Sequence, residues 1–129
     1  MELLMKSMPH ISDAEWEVMK VVWNRPSVTA NEIVEALAGV ADWKHRTIRT
    51  LISRLMKKGA LRGEKDSKRY LFYPRVKHDE CVREESRSFL QRVFDGQASP
   101  LLAQLVKQTN LSRSEIQELK QILTKKEAL

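Results

Sequence analysis

Apolar residues recur at helical spacing in the first third of the chain, and capping signals mark where two helices begin. Ser12 and Glu15 form a capping box, in which the hydroxyl oxygen accepts a backbone N–H and the carboxylate accepts the N–H of the cap. Thr29 and Glu32 repeat this signal. The spacing predicts one helix over 12–24 and a short second helix that begins at Thr29.

The middle of the chain combines a third helix with a change of period. Apolar residues over 44–58 follow the spacing of one buried helical face, and Gly59 stands where a helix ends. Residues 60–65 and 68–75 then alternate as strands do, with a turn at 66–67. Three helices followed by an antiparallel hairpin, with a basic third helix, are the order of a winged helix-turn-helix.

The last third of the chain returns to helical spacing and predicts three amphipathic helices, the first over 78–95. About fifty residues of helix without a sheet make a poor independent core, so we expect a second copy to cover the apolar stripes. We therefore predict a disordered extension over 1–10, a winged-helix domain over 11–77 and a helical dimerisation domain over 78–129. The predicted dimer interface comprises Phe89, Leu90, Val93, Phe94, Leu101, Leu102, Leu105, Val106, Ile116, Leu119, Ile122 and Leu123.

Positive charge is concentrated in the predicted winged-helix domain. The formal net charge of the chain is +6, and residues 1–77 carry all of it, with 15 Lys and Arg against 9 Asp and Glu. Within 44–77, 12 basic residues face only Glu64 and Asp66. Internal ion pairs cannot neutralise such a window, which favours a surface for a polyanion such as nucleic acid. A solvated basic face without a partner is the alternative interpretation.

The start of the predicted third helix carries side chains of the types that contact base edges in DNA-binding proteins. Arg46, Thr47, Arg49 and Thr50 lie in its first two turns, where a helix placed in the major groove touches base edges. Arg49 suits a bidentate contact to guanine, and Thr50 suits a thymine methyl group. For Thr47, packing inside the protein is an equal alternative.

Other basic residues of the same window suit phosphate contacts, which position a protein on DNA without specifying sequence. They lie on the third helix and at the tip of the hairpin: Lys44, Arg54, Lys57, Lys65, Lys68 and Arg69. Trp43, just before the helix, either packs beneath it or touches the DNA backbone. Trp16 and Trp23 stand at helical spacing, which favours core packing over base stacking.

Composition excludes several other classes of protein. The longest stretch without a charge, residues 96–106, is too short for a membrane-spanning helix, so no membrane insertion is expected. The first residues lack the pattern of a secretory signal, and one cysteine, Cys81, excludes an internal disulfide. We expect a cytoplasmic protein.

Candidate catalytic and metal-binding patterns are weak. His78 and Cys81 stand three residues apart and can supply two metal ligands, but no third and fourth soft ligand is evident nearby. The chain contains neither a nucleophile elbow nor a zinc-protease motif. The sequence therefore predicts a protein that is not an enzyme and holds no metal or cofactor.

Three stretches of the chain resemble one family of bacterial regulators, the penicillinase and methicillin-resistance repressors (the BlaI/MecI family). They are ISDAEWEVMKVVW over 11–23, DWKHRTIRTLISRLMKKG over 42–59 and LSRSEIQELKQIL over 111–123. The resemblance implies a homodimeric winged-helix repressor on a palindromic operator, with the C-terminal helices forming the dimer. It places the recognition contacts on Arg46, Thr47, Arg49 and Thr50.

The sequence departs from the family pattern at points that bear on regulation. In the best-known members a membrane-bound sensor of β-lactams triggers cleavage of an Asn-Phe bond, and this position is Gln104-Leu105 here. The match to the protease signal is therefore lost, although the bond stays a candidate cleavage site. Lys44-His45 replaces the Ser-Pro of close relatives, which implies a different operator preference or different phosphate contacts. The tail over 122–129 lacks the cysteine cluster of copper-responsive relatives.

Two alternatives to a sequence-specific repressor remain open on the residues alone. A winged-helix adaptor would use the hairpin and the basic face on an acidic protein partner. A non-specific DNA binder would use the same charge without reading bases. Sequence preference on DNA separates both from a repressor, whereas salt sensitivity does not.

Overall fold

The computed structural model describes residues 8–25 and 27–129. Most of the predicted disordered extension, residues 1–7, lies outside the described residues. Residues 8–10 form neither helix nor strand, but Met8 packs against the core. The carbonyl of His10 accepts a hydrogen bond of 2.8 Å from Lys58. The described part of the predicted extension is therefore held against the domain that follows it.

The described residues form six helices and three strands. In chain order these are α1 Asp13–Asn24, β1 Val28–Thr29, α2 Ala30–Leu37, α3 His45–Lys58, β2 Leu61–Asp66, β3 Arg69–Pro74, α4 His78–Phe94, α5 Ala98–Gln108 and α6 Arg113–Glu127. Every helix predicted from the sequence is present, and so is the hairpin. The fold class, mainly helical with a small antiparallel hairpin in a winged helix-turn-helix, is confirmed.

Capping side chains begin α1, α2 and α6 as the sequence predicts. The Ser12 hydroxyl accepts the N–H of Glu15 at 3.2 Å, and the Ser12 N–H donates to the Glu15 carboxylate at 2.9 Å. The same reciprocal pair forms at Thr29 and at Ser112. Gly59 ends α3 in the left-handed conformation, at a φ of 83°, which a glycine adopts without a steric penalty.

A three-stranded antiparallel sheet in the order β1-β3-β2 packs against the helices. The sequence did not predict β1, because two residues are too few to show an alternating pattern. The predicted turn is one residue too early: Asp66 pairs with Arg69, so the turn residues are Ser67 and Lys68. Ser67 has a φ of 61°, as a two-residue hairpin turn requires.

Residues 8–25 and 27–84 share one hydrophobic core between α1, α2, α3 and the sheet. Its fully buried side chains include Met19, Ile33, Ile48 and Leu55. Trp23 is half-buried against it and donates its indole N–H to the carbonyl of Val76 at 2.9 Å. The core interpretation of this tryptophan is therefore confirmed.

Cys81 belongs to the same core, although it lies on α4. Burial raises the pKa of its thiol, and the neighbouring Glu80 adds to the effect. The chain divides into two compact units inside α4, the first ending at Glu84 and the second beginning at Glu85. The sequence predicts a boundary after Lys77, and Cys81, in the first turn of α4, packs into the core of the first unit.

The second unit, residues 85–129, buries none of its residues. Nine of the twelve residues predicted at a dimer interface are large apolar side chains at least 40% exposed: Phe89, Val93, Leu102, Leu105, Val106, Ile116, Leu119, Ile122 and Leu123. The other three, Leu90, Phe94 and Leu101, are half-buried. So many exposed apolar side chains on a small unit mark a surface that normally has a partner.

Candidate nucleic-acid interface

Helix α3 divides into a buried apolar face and an exposed basic face. Ile48, Leu51, Ile52 and Leu55 are at most 4% exposed and anchor the helix in the core. The predicted DNA contacts of this helix are all exposed, and Thr47 is exposed with them rather than packed inside: Lys44, Arg46, Thr47, Arg49, Thr50, Arg54 and Lys57. Trp43, by contrast, is half-buried and packs against the core.

The arginines of α3 keep their charge available. Among residues 8–25 and 27–129, no carboxylate lies within ion-pair distance of Arg46, Arg49 or Arg54. The two acidic residues of the hairpin are used locally: Asp66 pairs with Arg69 at 3.2 Å, and Glu64 pairs with Arg62. The exposed face of α3 is therefore a surface of uncompensated positive charge, as an anionic partner requires.

Two side chains of this face have fixed partners. The Thr50 hydroxyl donates to the carbonyl of Arg46 at 3.0 Å, which leaves the threonine methyl group for an apolar contact. Arg49 donates from Nη2 to the side-chain oxygen of Asn31 on α2 at 2.6 Å. Sequence reasoning missed Asn31, because the two residues are 18 positions apart and no local pattern joins them.

The β2–β3 hairpin, residues 61–74, is called the wing here. Lys65, Lys68 and Arg69 are exposed at its tip, as predicted. Between the wing and the start of α2 lies a notch of about 490 Å³, whose walls include Asn31, Arg49 and Tyr70. The structure thus brings the wing and the basic face of α3 to one side of the first unit.

One carboxylate also lines the notch. The backbone N–H and the hydroxyl of Thr29 hold the pKa of Glu32 below its ordinary value of 4.5, and the charges of Arg25 and Arg69 act in the same direction. Glu32 is therefore ionised at neutral pH. The notch is a mixed site rather than a purely cationic one.

Gly63 leaves room for the Tyr70 ring, which lies against the wing backbone at this position. A methyl group at position 63 would stand 2.2 Å from a ring carbon of Tyr70. The ring also meets Phe72 edge-on, with 5.2 Å between ring centres. The absence of a side chain at position 63 thus allows Tyr70 its place beside the notch.

We expect Gly63→Ala to displace the Tyr70 ring and to lower the free energy of unfolding by about 1 kcal/mol, the low end of overpacking penalties. Thermal unfolding of Gly63→Ala, Tyr70→Ala and the double variant measures this. In the Tyr70→Ala background the added methyl group has room, so its cost should vanish. The same cost in both backgrounds would contradict the assignment.

The described residues also bear on metal binding and on membrane insertion. No group of three or more His, Cys, Asp or Glu residues there is arranged to hold a metal ion. His78 lies edge-on to the Trp23 ring, 5.0 Å between ring centres, and pairs with Asp79. No described helix is long and apolar enough to cross a bilayer.

A family model described as penicillinase repressor matches residues 11–125. The chain belongs to the penicillinase repressor family. The penicillinase repressor of Bacillus licheniformis is 39% identical over 119 residues, which cover 92% of this chain and 93% of that protein. The methicillin resistance regulatory protein MecI of Staphylococcus aureus is 40% identical over 116 residues, which cover 90% of this chain and 94% of that protein.

Solved structures agree with this assignment. The B. licheniformis BlaI monomer, bound to the blaP half-operator, is 39% identical over 57% of this repressor and 90% of that chain, with a TM-score of 0.52. MarR of S. aureus has the same TM-score at 17% identity, covering 89% of this chain and 70% of that chain, and shares the fold alone. The protein is therefore a transcriptional repressor of the winged-helix class and not an enzyme.

Proposed function

We propose that this repressor binds a palindromic DNA operator as a homodimer. One observation carries the proposal: α3 presents Arg46, Arg49 and Arg54 on an exposed face without an acidic partner among the described residues. Its opposite face is anchored in the core, so the helix enters a major groove as a rigid body. BlaI of B. licheniformis, which shares the fold and 39% of the aligned residues, was solved on a half-operator.

Each contact has a separate role in this proposal. Arg49 reads a guanine with two parallel N–H donors, and the Thr50 methyl group meets a thymine. Arg46 and Thr47 supply further base-edge contacts from the first turns of α3. The phosphate contacts fix the register without reading sequence, and they come from Lys44, Arg54, Lys57, Lys65, Lys68 and Arg69. Trp43 packs against the core.

The second unit supplies the dimer. Its exposed apolar side chains recur along α4, α5 and α6, and a second copy of the same unit offers an equal set in return. Two recognition helices joined in this way match a two-fold DNA site. For a repressor that binds a bacterial DNA operator, we propose a cytoplasmic location.

Arg49→Ala tests the reading of bases. We expect it to cost about 1–3 kcal/mol on a palindromic duplex selected from a random pool and little on a scrambled duplex, because only the guanine contact is lost. Fluorescence anisotropy at two salt concentrations measures both affinities. Lys57→Ala is the matched control, since loss of a phosphate contact weakens all duplexes alike.

One result of the Arg49→Ala experiment would contradict the proposal. If no sequence is enriched and Arg49→Ala weakens all DNA equally, α3 is an electrostatic surface only. The chain then binds DNA without sequence preference or serves as an adaptor for an acidic protein. The operator and repressor proposal is abandoned in that case.

Release from DNA requires the dimer to weaken, and we propose cleavage at Gln104-Leu105 by a sensor protease as one route. The bond lies within α5, where Gln104 also accepts a hydrogen bond of 3.1 Å from Gln108. Since proteases cut extended backbone, this helix must first open locally.

A chain ending at Gln104 reproduces the cut product. It loses the apolar side chains from Leu105 onward, including all those of α6, so we expect a monomer. Analytical ultracentrifugation at micromolar concentration measures the mass in solution, with the full chain as the control. A dimer of this shortened chain would show that cleavage here cannot release the repressor.

A further inference from the structure

The hydrogen bond between Arg49 and Asn31 fixes a side chain that is otherwise free to move. Both residues are exposed, and the Nη2–Oδ1 distance of 2.6 Å is short for such a contact. An exposed arginine without a partner samples many rotamers, and DNA must then select one of them at an entropic cost. A partner on a neighbouring helix removes part of that cost before DNA arrives.

We propose that Asn31 is a positioning residue that sets the base preference of Arg49, and this rests on the proposed function. Asn31 stands in the first turn of α2, and α2 is itself anchored by the buried Ile33, Val34 and Leu37. The amide oxygen is therefore carried by a rigid element. Arg49 is held by its own helix at one end and by α2 at the other.

The contact leaves the donors that a base needs. A guanidinium carries five N–H groups, and Asn31 accepts from Nη2 alone. The second Nη2 hydrogen and the Nη1 hydrogens remain for O6 and N7 of a guanine. Asn31 thus fixes the plane of the Arg49 guanidinium and leaves free the N–H groups that would contact a base.

Asn31 is uncharged, and this property matters to DNA binding as much as its position does. Glu32, the next residue, is already ionised beside the same notch, so a second carboxylate at position 31 would add to the negative charge there. An amide oxygen orients Arg49 without neutralising it, so the full positive charge stays available to DNA. An aspartate at this position would accept the same hydrogen bond and compete electrostatically with the operator.

The two substitutions at position 31 therefore have different signatures on the full-length chain. The discrimination ratio is the affinity for the selected duplex divided by that for duplexes in which single base pairs are replaced. Asn31→Ala should lower it about 3- to 10-fold, the effect of one hydrogen bond, and leave binding to scrambled DNA unchanged. Asn31→Asp should keep the ratio, weaken binding to all duplexes and reduce the dependence on salt.

Arg49→Ala provides the coupling test. In that background Asn31→Ala should have no further effect on the ratio, because its target is gone. Asn24→Ala is the matched control: it removes an exposed amide from α1, away from the notch. Circular dichroism and thermal unfolding confirm that each variant folds as the parent does.

The outcomes separate this proposal from the proposed function. An unchanged or higher ratio in Asn31→Ala overturns the positioning role while the selective effect of Arg49→Ala leaves the repressor intact. A uniform loss on all duplexes also overturns it, since that is the effect of a structural or phosphate contact. A parent chain with no sequence preference overturns both.

Discussion

A chain that ends at Glu84 is expected to fold and to bind one half-site as the full chain does, but to bind two half-sites about 10²- to 10⁴-fold more weakly. The first unit ends at this residue and contains the whole core, Cys81 included. The shortened chain lacks the exposed apolar surface of the second unit. We propose that this surface joins two copies of the chain. A joined pair binds its second half-site at a high effective concentration, whereas two separate chains must each associate from solution.

The length of the shortened chain matters to the result. A cut after Lys77 would remove Cys81 from the core, so weak DNA binding could then reflect unfolding. The cut after Glu84 keeps the first turns of α4. Anisotropy titrations on a duplex with one half-site and on one with two provide the comparison.

A full-length variant separates dimer loss from loss of mass. Leu105→Asp places a charge on a side chain that is 50% exposed, and we expect it to act like the shortened chain. Gln104→Asp makes the same charge change at the neighbouring exposed position and serves as the control. Equal affinities of shortened and full chains for the two-half-site duplex would refute the dimer mechanism.

Local signals account for what the sequence predicts well. The capping boxes at Ser12, Thr29 and Ser112 act within four residues, so their spacing predicts the helix starts directly. The two faces of α3 follow from helical periodicity, with Ile48 buried and Arg49 exposed next to it. The exposed charge of the interface could therefore be predicted from the residues alone.

Contacts between distant residues account for what the sequence does not show. Asn31 meets Arg49, and Glu15 meets Lys58, only because the packing of helices brings them together. β1 exists because β3 offers its edge to two residues, Val28 and Thr29. Cys81 joins the core of the first unit from α4, and helical periodicity on α4 did not single it out.

The second large effect is expected on stability, when the buried carboxylate of Glu15 is removed. Glu15 is 2% exposed and accepts from Lys58 Nζ at 2.5 Å, while the Lys58 side chain is 33% exposed. Glu15→Ala removes this pair and the reciprocal bond to Ser12. We expect the free energy of unfolding to fall by about 3 kcal/mol, the low end for a broken buried pair because Lys58 keeps partial contact with water.

Two other carboxylates, one on α2 and one on α1, provide matched controls for Glu15→Ala. Glu32→Ala breaks a capping box of the same form that lacks the lysine, so it should lower the free energy of unfolding clearly less than Glu15→Ala does. Glu17→Ala removes a surface ion pair of 3.1 Å with Lys20 on the same helix and should change stability by less than about 0.5 kcal/mol. Denaturant titration of the three variants measures the differences. Equal losses for Glu15→Ala and Glu32→Ala would show that the ion pair adds nothing.

Acidification should act through the same carboxylate. Burial opposes ionisation of Glu15, but the hydrogen bonds and charge of Lys58 and the bonds to Ser12 outweigh it, so its pKa lies below the ordinary 4.5. A carboxyl whose pKa is lower in the folded chain than in the unfolded chain stabilises the fold fully above the unfolded value. That stability is lost as the pH falls through the folded value. Unfolding free energies of the parent should therefore drop below about pH 4.5.

Glu15→Gln isolates the charge in this pH dependence. Its amide oxygen can still accept from Ser12, yet it does not titrate, so the variant should begin less stable at pH 7 and lose less on acidification. The two stability curves should converge at low pH, where Glu15 of the parent is also neutral. Parallel curves between pH 7 and pH 3 would assign the acid sensitivity to other carboxylates, because Glu15 would then contribute no linkage to proton binding.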